Sequence, residues 1–578
     1  MKKILALLLA LVLAFGLVAC APNASEETEN NADVPEFNGE APTIGTSGWD
    51  GALPLVQEGE DNVITIGIRT NANVLDFETN KYTLWLEEQT GLDLQFVMFG
   101  ANSKDATTQV SLMVAGGEEL PDILVDFGGI NKATAKEYGQ DGYFVNVAPY
   151  LATDSHYFME SMELYYPEED ARNEFIQFVL DTMTDPRDNA IYMYPTTYQN
   201  ASDLNLSHIF INQEWLDTLG LTAPTTIDEL YDVLVAFRDQ DPNGNGIKDE
   251  IPMIGRADAT FYAITQWVTN AFIYEYDQFK FNVENDVVYA PYDQPEYREA
   301  LIFLKKLVDE GLLSPMTWTA SAEEIKALIN TDGDLTVGLM AAPGDSVFQE
   351  GYDGIYAYVP IAPLADYTGR GGWGPVSCDR IAYSTFITAD CDNPRLAFRL
   401  LDYMSSADSY LRQSRGEYGV DWKYVDEGVT LPGRLGGEAK LEVLNMQVYS
   451  EVNNQCWHIQ RSCCSEIYWQ YAMDINDGSF LSTQNKNIQT IYEMYMNAPH
   501  PEQNLWVVNR SEEVDADWAS ANTDIMSYVR KSRANFCNGV IDPNSDADWQ
   551  TYIDGLEALG YTDLWIAVAQ ESWNNSNK

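Results

Sequence analysis

Basic residues are scarce in this sequence. Lys and Arg together number 33 against 89 Asp and Glu, a formal net charge of −56 over 578 residues. A field of that sign repels phosphate backbones and anionic headgroups, so nucleic-acid binding and electrostatic adsorption to membranes are excluded. A cation or an uncharged solute is easier to hold. Histidine is rarer still, with four residues (His156, His208, His458, His500) and no metal spacing among them. Cysteine is sparse too, at seven residues without a CxxC or other zinc pattern. GxSxG, HExxH and P-loop motifs are absent. Acidic pairs occur everywhere at this charge, so no glycosidase pair stands out. No apolar run beyond the first twenty residues is long enough to span a bilayer. What is present is a 45% hydrophobic, 12% aromatic chain, enough for a large core divided among several compact units.

Lys2 and Lys3 precede an apolar run from Ile4 to Val18, which has the length and flanks of a signal peptide. It ends Leu17-Val18-Ala19-Cys20, which resembles the bacterial lipobox. The resemblance implies a signal peptide at 1–19, diacylglycerol on the Cys20 sulfur, and a protein held at the extracellular or periplasmic side of the cell membrane by acyl chains alone. Residues 20–61 then read as the lipidated Cys and a flexible polar tether, rich in Asn, Glu, Pro, Gly and Ser. Cys378, Cys391, Cys456, Cys463, Cys464 and Cys537 remain. Partly buried free thiols and one or two disulfides are equal readings in an exported chain.

The body alternates strand and helix patterns. Val63 to Ile68 is β-rich, Tyr82 to Gln89 helical, Leu92 to Met98 alternating, Thr107 to Ala115 helical, and Pro121 to Asp126 a buried strand. That order requires crossover connections and a mostly parallel sheet, whose ligands sit beyond the strands' carboxyl ends. Arg69 to Asn73 and Asp126 to Asn131 fall there. A second α/β unit starts at Ile209 to Asn212, followed by a helix over Gln213 to Leu219. Thr226 with Glu229 forms a capping box for the next helix, and Tyr297 to Glu310 is a further amphipathic helix. The fold class is α/β in two lobes, with 62–200 plus 375–425 in the first and 201–374 plus 426–578 in the second.

The most informative segment is Asp241-Pro242-Asn243-Gly244-Asn245-Gly246-Ile247-Lys248-Asp249-Glu250. Side-chain oxygens recur at Asp241, Asn243 and Asn245, Gly246 permits a sharp turn, Ile247 offers a carbonyl, and Asp249 follows. This is the spacing of an EF-hand-like loop, which aims oxygens at one hard Ca²⁺. Position twelve is Pro252 rather than the bidentate Glu, and Glu250 is the natural substitute.

Asn212-Gln213-Glu214-Trp215-Leu216, Leu219-Gly220-Leu221, Pro224-Thr225-Thr226, Phe237 and the run from Asp241 to Pro252 resemble the extracellular solute-binding proteins of ABC importers, carbohydrate type, with long lipoprotein-like members related to alginate-binding proteins. Tyr297 to Leu313, Arg380 to Asp390, Pro394 to Met404 and Gly416 to Gly419 continue the likeness; the closing tail, Gln570 to Trp573, departs from it. The resemblance implies a periplasmic-binding-protein-like fold with a hinge between the lobes and a structural Ca²⁺ on Asp241, Asn243, Asn245, Ile247, Asp249 and Glu250. It implies a receptor, not an enzyme, that passes a carbohydrate or oligosaccharide to permease subunits. A surface carbohydrate-active enzyme and a peptide receptor are the alternatives.

Gly369 to Gly374 matches GxGxxG but is a loop without flanking strand and helix, so it is no dinucleotide site. Sugar pockets need ring faces beside amides and carboxylates. Trp267, Trp373, Trp422 and Trp457 are candidate platforms, each also readable as core, and Arg69 and Asp126 are candidate polar groups.

Overall fold

The computed structural model describes residues 37, 39–57, 59–185, 187–198, 207–257, 262–275, 280–344, 347–365, 372–373, 380–382, 384–434, 437–445, 448, 452–458, 472–473, 478–496, 498, 503–505, 508, 510 and 512–576. Cys20, Cys378, Cys463 and Cys464 lie outside them, as does most of the Gly369–Gly374 run.

The first sheet is built on strand β1 (Val63–Arg69), whose Ile64, Ile66 and Ile68 are buried. Helix α1 (Lys81–Thr90) is capped by the Asn80 side chain and closed by Gly91 in the left-handed region. It leads to β2 (Asp93–Phe99), which pairs parallel with β1 over its whole length. Helix α2 (Ser103–Gly116) crosses back to β3 (Ile123–Val125), parallel to β1 on its other side. Phe386–Ile387 adds an antiparallel edge beside β3. β1 and β3 approach closely because Gly67 has no side chain: a Cβ there would lie 2.6 Å from Leu124 Cδ2. Helix α3 (Lys132–Gln140) follows β3.

The second sheet has the order 358–360, 208–212, 337–342, 251–254. Its two central strands, His208–Asn212 and Val337–Ala342, are antiparallel, and Ile251–Ile254 is parallel to the latter. Both central strands are buried at every residue, because helices cover both faces. The helix Gln213–Leu219 and the Thr226–Glu229 capping box form as the sequence specifies.

Each sheet has its own apolar core. The chain leaves the first sheet through Thr196–Tyr198 and returns through Arg380–Ala382, and these two crossings pair antiparallel. The first core also takes in Leu441, Val443, Trp457 and Ala472, residues that sequence patterning assigns to the second lobe. Trp422–Tyr424 pairs with Leu441–Val443, and Trp457 inserts among Phe77, Tyr82 and Phe96.

The polar tether expected to run to Asp61 ends earlier. Gly45 and Gly48 donate backbone N–H groups to Leu151 and Thr153, and Leu55 donates to Thr90. Trp49 is buried against Tyr157, with the Arg399 guanidinium over its ring. One Trp and Val56 supply enough apolar area to dock a segment whose average composition is polar. Cys391, Cys456 and Cys537 are buried free thiols. Among the described residues no helix is long and apolar enough to cross a membrane.

Candidate functional site

The carboxyl ends of β1 and β3 carry the pair that sequence order places there. Arg69 is the last residue of β1, and Asp126 follows β3 with φ +65°. An aspartate tolerates that left-handed conformation better than most residues. The Arg69 Nη2 is ion-paired with Asp126 Oδ2. Its Nε donates to the Asp126 carbonyl at 2.7 Å and its Nη1 to the Ala101 carbonyl at 3.0 Å. Arg69 therefore braces the three loops at this end of the sheet, with its charge already compensated.

Above the pair is an open cavity of about 280 Å³, with Arg69, Thr70, Asn71, Phe77, Asp126 and Trp457 among its lining residues. It sets a guanidinium, a carboxylate, an amide and a hydroxyl, groups of the kind that bind a polyhydroxylated solute, against two rings that are themselves buried, Phe77 at 7% and Trp457 at 0% exposure. Trp457 is fixed from behind: its Nε1 donates to Thr83 Oγ1 at 2.8 Å, and Tyr82 meets it edge-on at 4.8 Å. Phe77 is absent from the sequence candidates. The only signal for it is a lone aromatic in the loop after a strand whose carboxyl end faces a cleft.

The other candidate tryptophans are not brought to this cavity. Trp422 is 1% exposed. Its Nε1 donates to the Gly416 carbonyl at 3.0 Å, and the edges of Tyr418 and Tyr424 meet it. It is a core ring of the first lobe and offers no face to a solute. Trp267 is buried in the second core, with no partner for its indole N–H among the described residues. Trp373 is half-buried, edge-on to Tyr274 at 6.2 Å.

A second cavity of about 380 Å³ lies beyond the 77–81 turn, with Lys81, Trp85, Glu88, Arg412, Glu417 and Gln455 on its walls. Lys81 is ion-paired with Glu417, and Arg412 with Asp408. The Arg412 guanidinium sits 4.6 Å from the centre of the Trp85 ring.

The acidic loop belongs to the other lobe. It joins the helix Ile227–Asp239 to the edge strand Ile251–Ile254. Left-handed backbone at Asp241, Gly244 and Gly246 folds it back on itself. Gly246 N–H donates to Asp241 Oδ2 at 3.1 Å and Ile247 N–H to Asn245 Oδ1 at 2.7 Å. The Asn243 and Asn245 amides both turn to Asp249, at 3.4 Å. Glu250 Oε1 is buried with no hydrogen-bond partner. No three His, Cys, Asp or Glu groups converge among the described residues, but amide and carbonyl oxygens are also donors to a hard ion. Oxygen-only chemistry and an orphaned buried carboxylate oxygen both fit such a cation.

The profile of the bacterial extracellular solute-binding protein family matches residues 101–410. The chain belongs to this family. A local stretch of 117 residues is 34% identical to the lipoprotein LipO of Bacillus subtilis, covering 19% of this chain and 22% of LipO. Over 504 residues the chain is 22% identical to FusA of Streptococcus pneumoniae, a fructooligosaccharide ABC transporter substrate-binding protein, covering 85% of this chain and 86% of FusA. Among solved structures, an extracellular solute-binding protein of Bifidobacterium longum subsp. infantis superposes with a TM-score of 0.69 at 20% identity, over 90% of this chain and all of that one. An EF-hand mutant of FusA in complex with fructo-nystose superposes at 0.66 and 20% identity, over 89% and 100%. The alginate-binding protein AlgQ2 without calcium ion does so at 0.59 and 20% identity, over 89% and 98%. These likenesses show the fold: a two-lobed, periplasmic-binding-protein-like α/β protein.

Proposed function

We propose that this family member is the receptor of an ABC importer for a carbohydrate or oligosaccharide, and not an enzyme. The observation that carries the reading is the cavity at the ends of β1 and β3, where Arg69 and Asp126 stand beside Phe77 and Trp457. FusA, similar over most of both chains, is by its name a fructooligosaccharide receptor. Solute bridging the lobes favours a closed state by its differential contacts, and the permease reads that state. The paired crossings Thr196–Tyr198 and Arg380–Ala382 are the hinge. Cys20 is lipidated and holds the receptor at the extracellular or periplasmic side of the cell membrane. Asp241, Asn243, Asn245, the Ile247 carbonyl, Asp249 and Glu250 hold one structural Ca²⁺, which cross-links the loop and neutralises its carboxylates.

A thermal-shift screen against glycan and peptide libraries tests the receptor reading. Saturable stabilisation by a glycan, with no product on prolonged incubation, is the expected result. Glycan turnover, or stabilisation by peptides alone, would overturn it.

A further inference from the structure

We infer that the receptor selects uncharged oligosaccharides and rejects uronic-acid chains, and that the Asp126 carboxylate sets this preference. The inference rests on the carbohydrate reading above and narrows it.

Recognition of a uronate needs a cation that is not already compensated, because a carboxylate taken from water into a cleft must be paired or it pays its desolvation. Among the described residues, Arg69 is the one cation lining the first cavity. Its charge is met by Asp126, and three of its five N–H groups are committed to Asp126 and Ala101. Two N–H groups remain to donate to hydroxyls. Thr70 and Asn71 add neutral donors and acceptors. A hydroxyl both donates and accepts, so a neutral sugar satisfies this set without importing charge.

The second cavity repeats the balance. Lys81 faces Glu417, Arg412 faces Asp408, and Glu88 adds a further negative charge to the wall. The background points the same way. At a net charge of −56, a polyanion approaches against the field of the whole protein.

Lys132 is the first cation in sequence after Asp126. It begins α3, just past the end of β3. Burial, together with the neighbouring charges of Lys136 and Arg510, lowers its ammonium to about 8. It does not line either cavity, so uronate binding through it would require a different solute position.

The test is isothermal titration of the full-length protein in saturating Ca²⁺ with two trisaccharide-sized panels at physiological salt. The neutral panel is kestose, maltotriose, cellotriose and xylotriose; the acidic panel is trigalacturonate and a mannuronate trimer. Binding by a neutral member at least tenfold tighter than by either acid supports the inference. An acid binding tighter than every neutral member overturns it while leaving the carbohydrate reading intact, and loss of that binding in Lys132→Ala would locate the site. If no saccharide in either panel binds, the carbohydrate reading fails and this inference fails with it. Asp126→Asn isolates the cause. Asn keeps the left-handed backbone but uncovers the Arg69 charge, so the acid-to-neutral affinity ratio should rise at least tenfold. An unchanged ratio overturns the role given to Asp126.

Discussion

Asp402 is a carboxylate in the wrong solvent, and its titration is measurable. It sits in the helix Pro394–Met404 with no exposed surface. Its oxygens accept the Tyr157 N–H at 2.7 Å, the Phe158 N–H at 3.1 Å and the Tyr194 hydroxyl at 3.1 Å. The first two belong to the opening turn of the helix His156–Tyr165, where a negative charge is favoured. Burial opposes them and wins: the carboxyl is pushed up from 3.8 to about 7. A folded pKa above the unfolded one means that the native state holds the proton more tightly. The contribution is therefore complete below about pH 4 and is lost as pH rises through 7. A shift of that size is worth about 4 kcal/mol in all, of which about 3 kcal/mol disappears between pH 5 and pH 8. Paired carboxylates such as Asp185, whose pKa is lowered, slope the other way, so the total stability curve mixes signs. The difference between wild type and Asp402→Asn isolates the group, since Asn does not titrate. Urea unfolding at matched ionic strength and saturating Ca²⁺ should show wild type ahead at pH 5 and its lead shrinking by about 3 kcal/mol by pH 8. A lead that stays constant or widens with pH would mean an ionised native carboxylate, with the helix N–H groups outweighing burial.

Chelation should lower the melting temperature, Ca²⁺ should restore it better than Mg²⁺, and Asp241→Ala with Asp249→Ala should remove the response. Free ion at one hundred times its dissociation constant is worth about 2.7 kcal/mol, and calorimetry of fully chelated protein that detects no Ca²⁺ binding would end that assignment. Cys20→Ala should release the protein from the membrane or leave it unprocessed; retention at mature size in the lipoprotein fraction is the contrary result. Gly67→Ala should cost about 1–3 kcal/mol in urea unfolding, because its Cβ would meet Leu124, Phe99 and Pro121 at 2.6–3.1 Å; a neutral effect would mean that β1 and β3 can separate. Small-angle scattering should give a smaller radius of gyration at ligand saturation, and an unchanged radius argues against hinge closure.

Local chemistry was legible in the sequence. The alternation of Val63 to Ile68 makes a buried strand, Thr226 and Glu229 cap their helix reciprocally, and Gly220 ends the helix Gln213–Leu219. Each rests on residues within a few positions of one another. Strand order then put Arg69 and Asp126 at the same end of one sheet, because parallel strands share their carboxyl ends. The oxygen spacing from Asp241 to Glu250 was equally local. What only the tertiary structure decided is which buried aromatics lie against the cavity. Trp422 and Trp457 read alike as letters and both are buried, yet Trp422 is packed against Tyr418 and Tyr424 away from the cavity while Trp457 lies against it, bonded to Thr83 across 374 residues of sequence separation. The docking of Trp49 on the first lobe is of the same kind. A ring's burial depends on partners brought from far along the chain, and neither periodicity nor composition carries that information. Strand ends and turns are set by their neighbours; the walls of a cavity are set by everything that packs behind them.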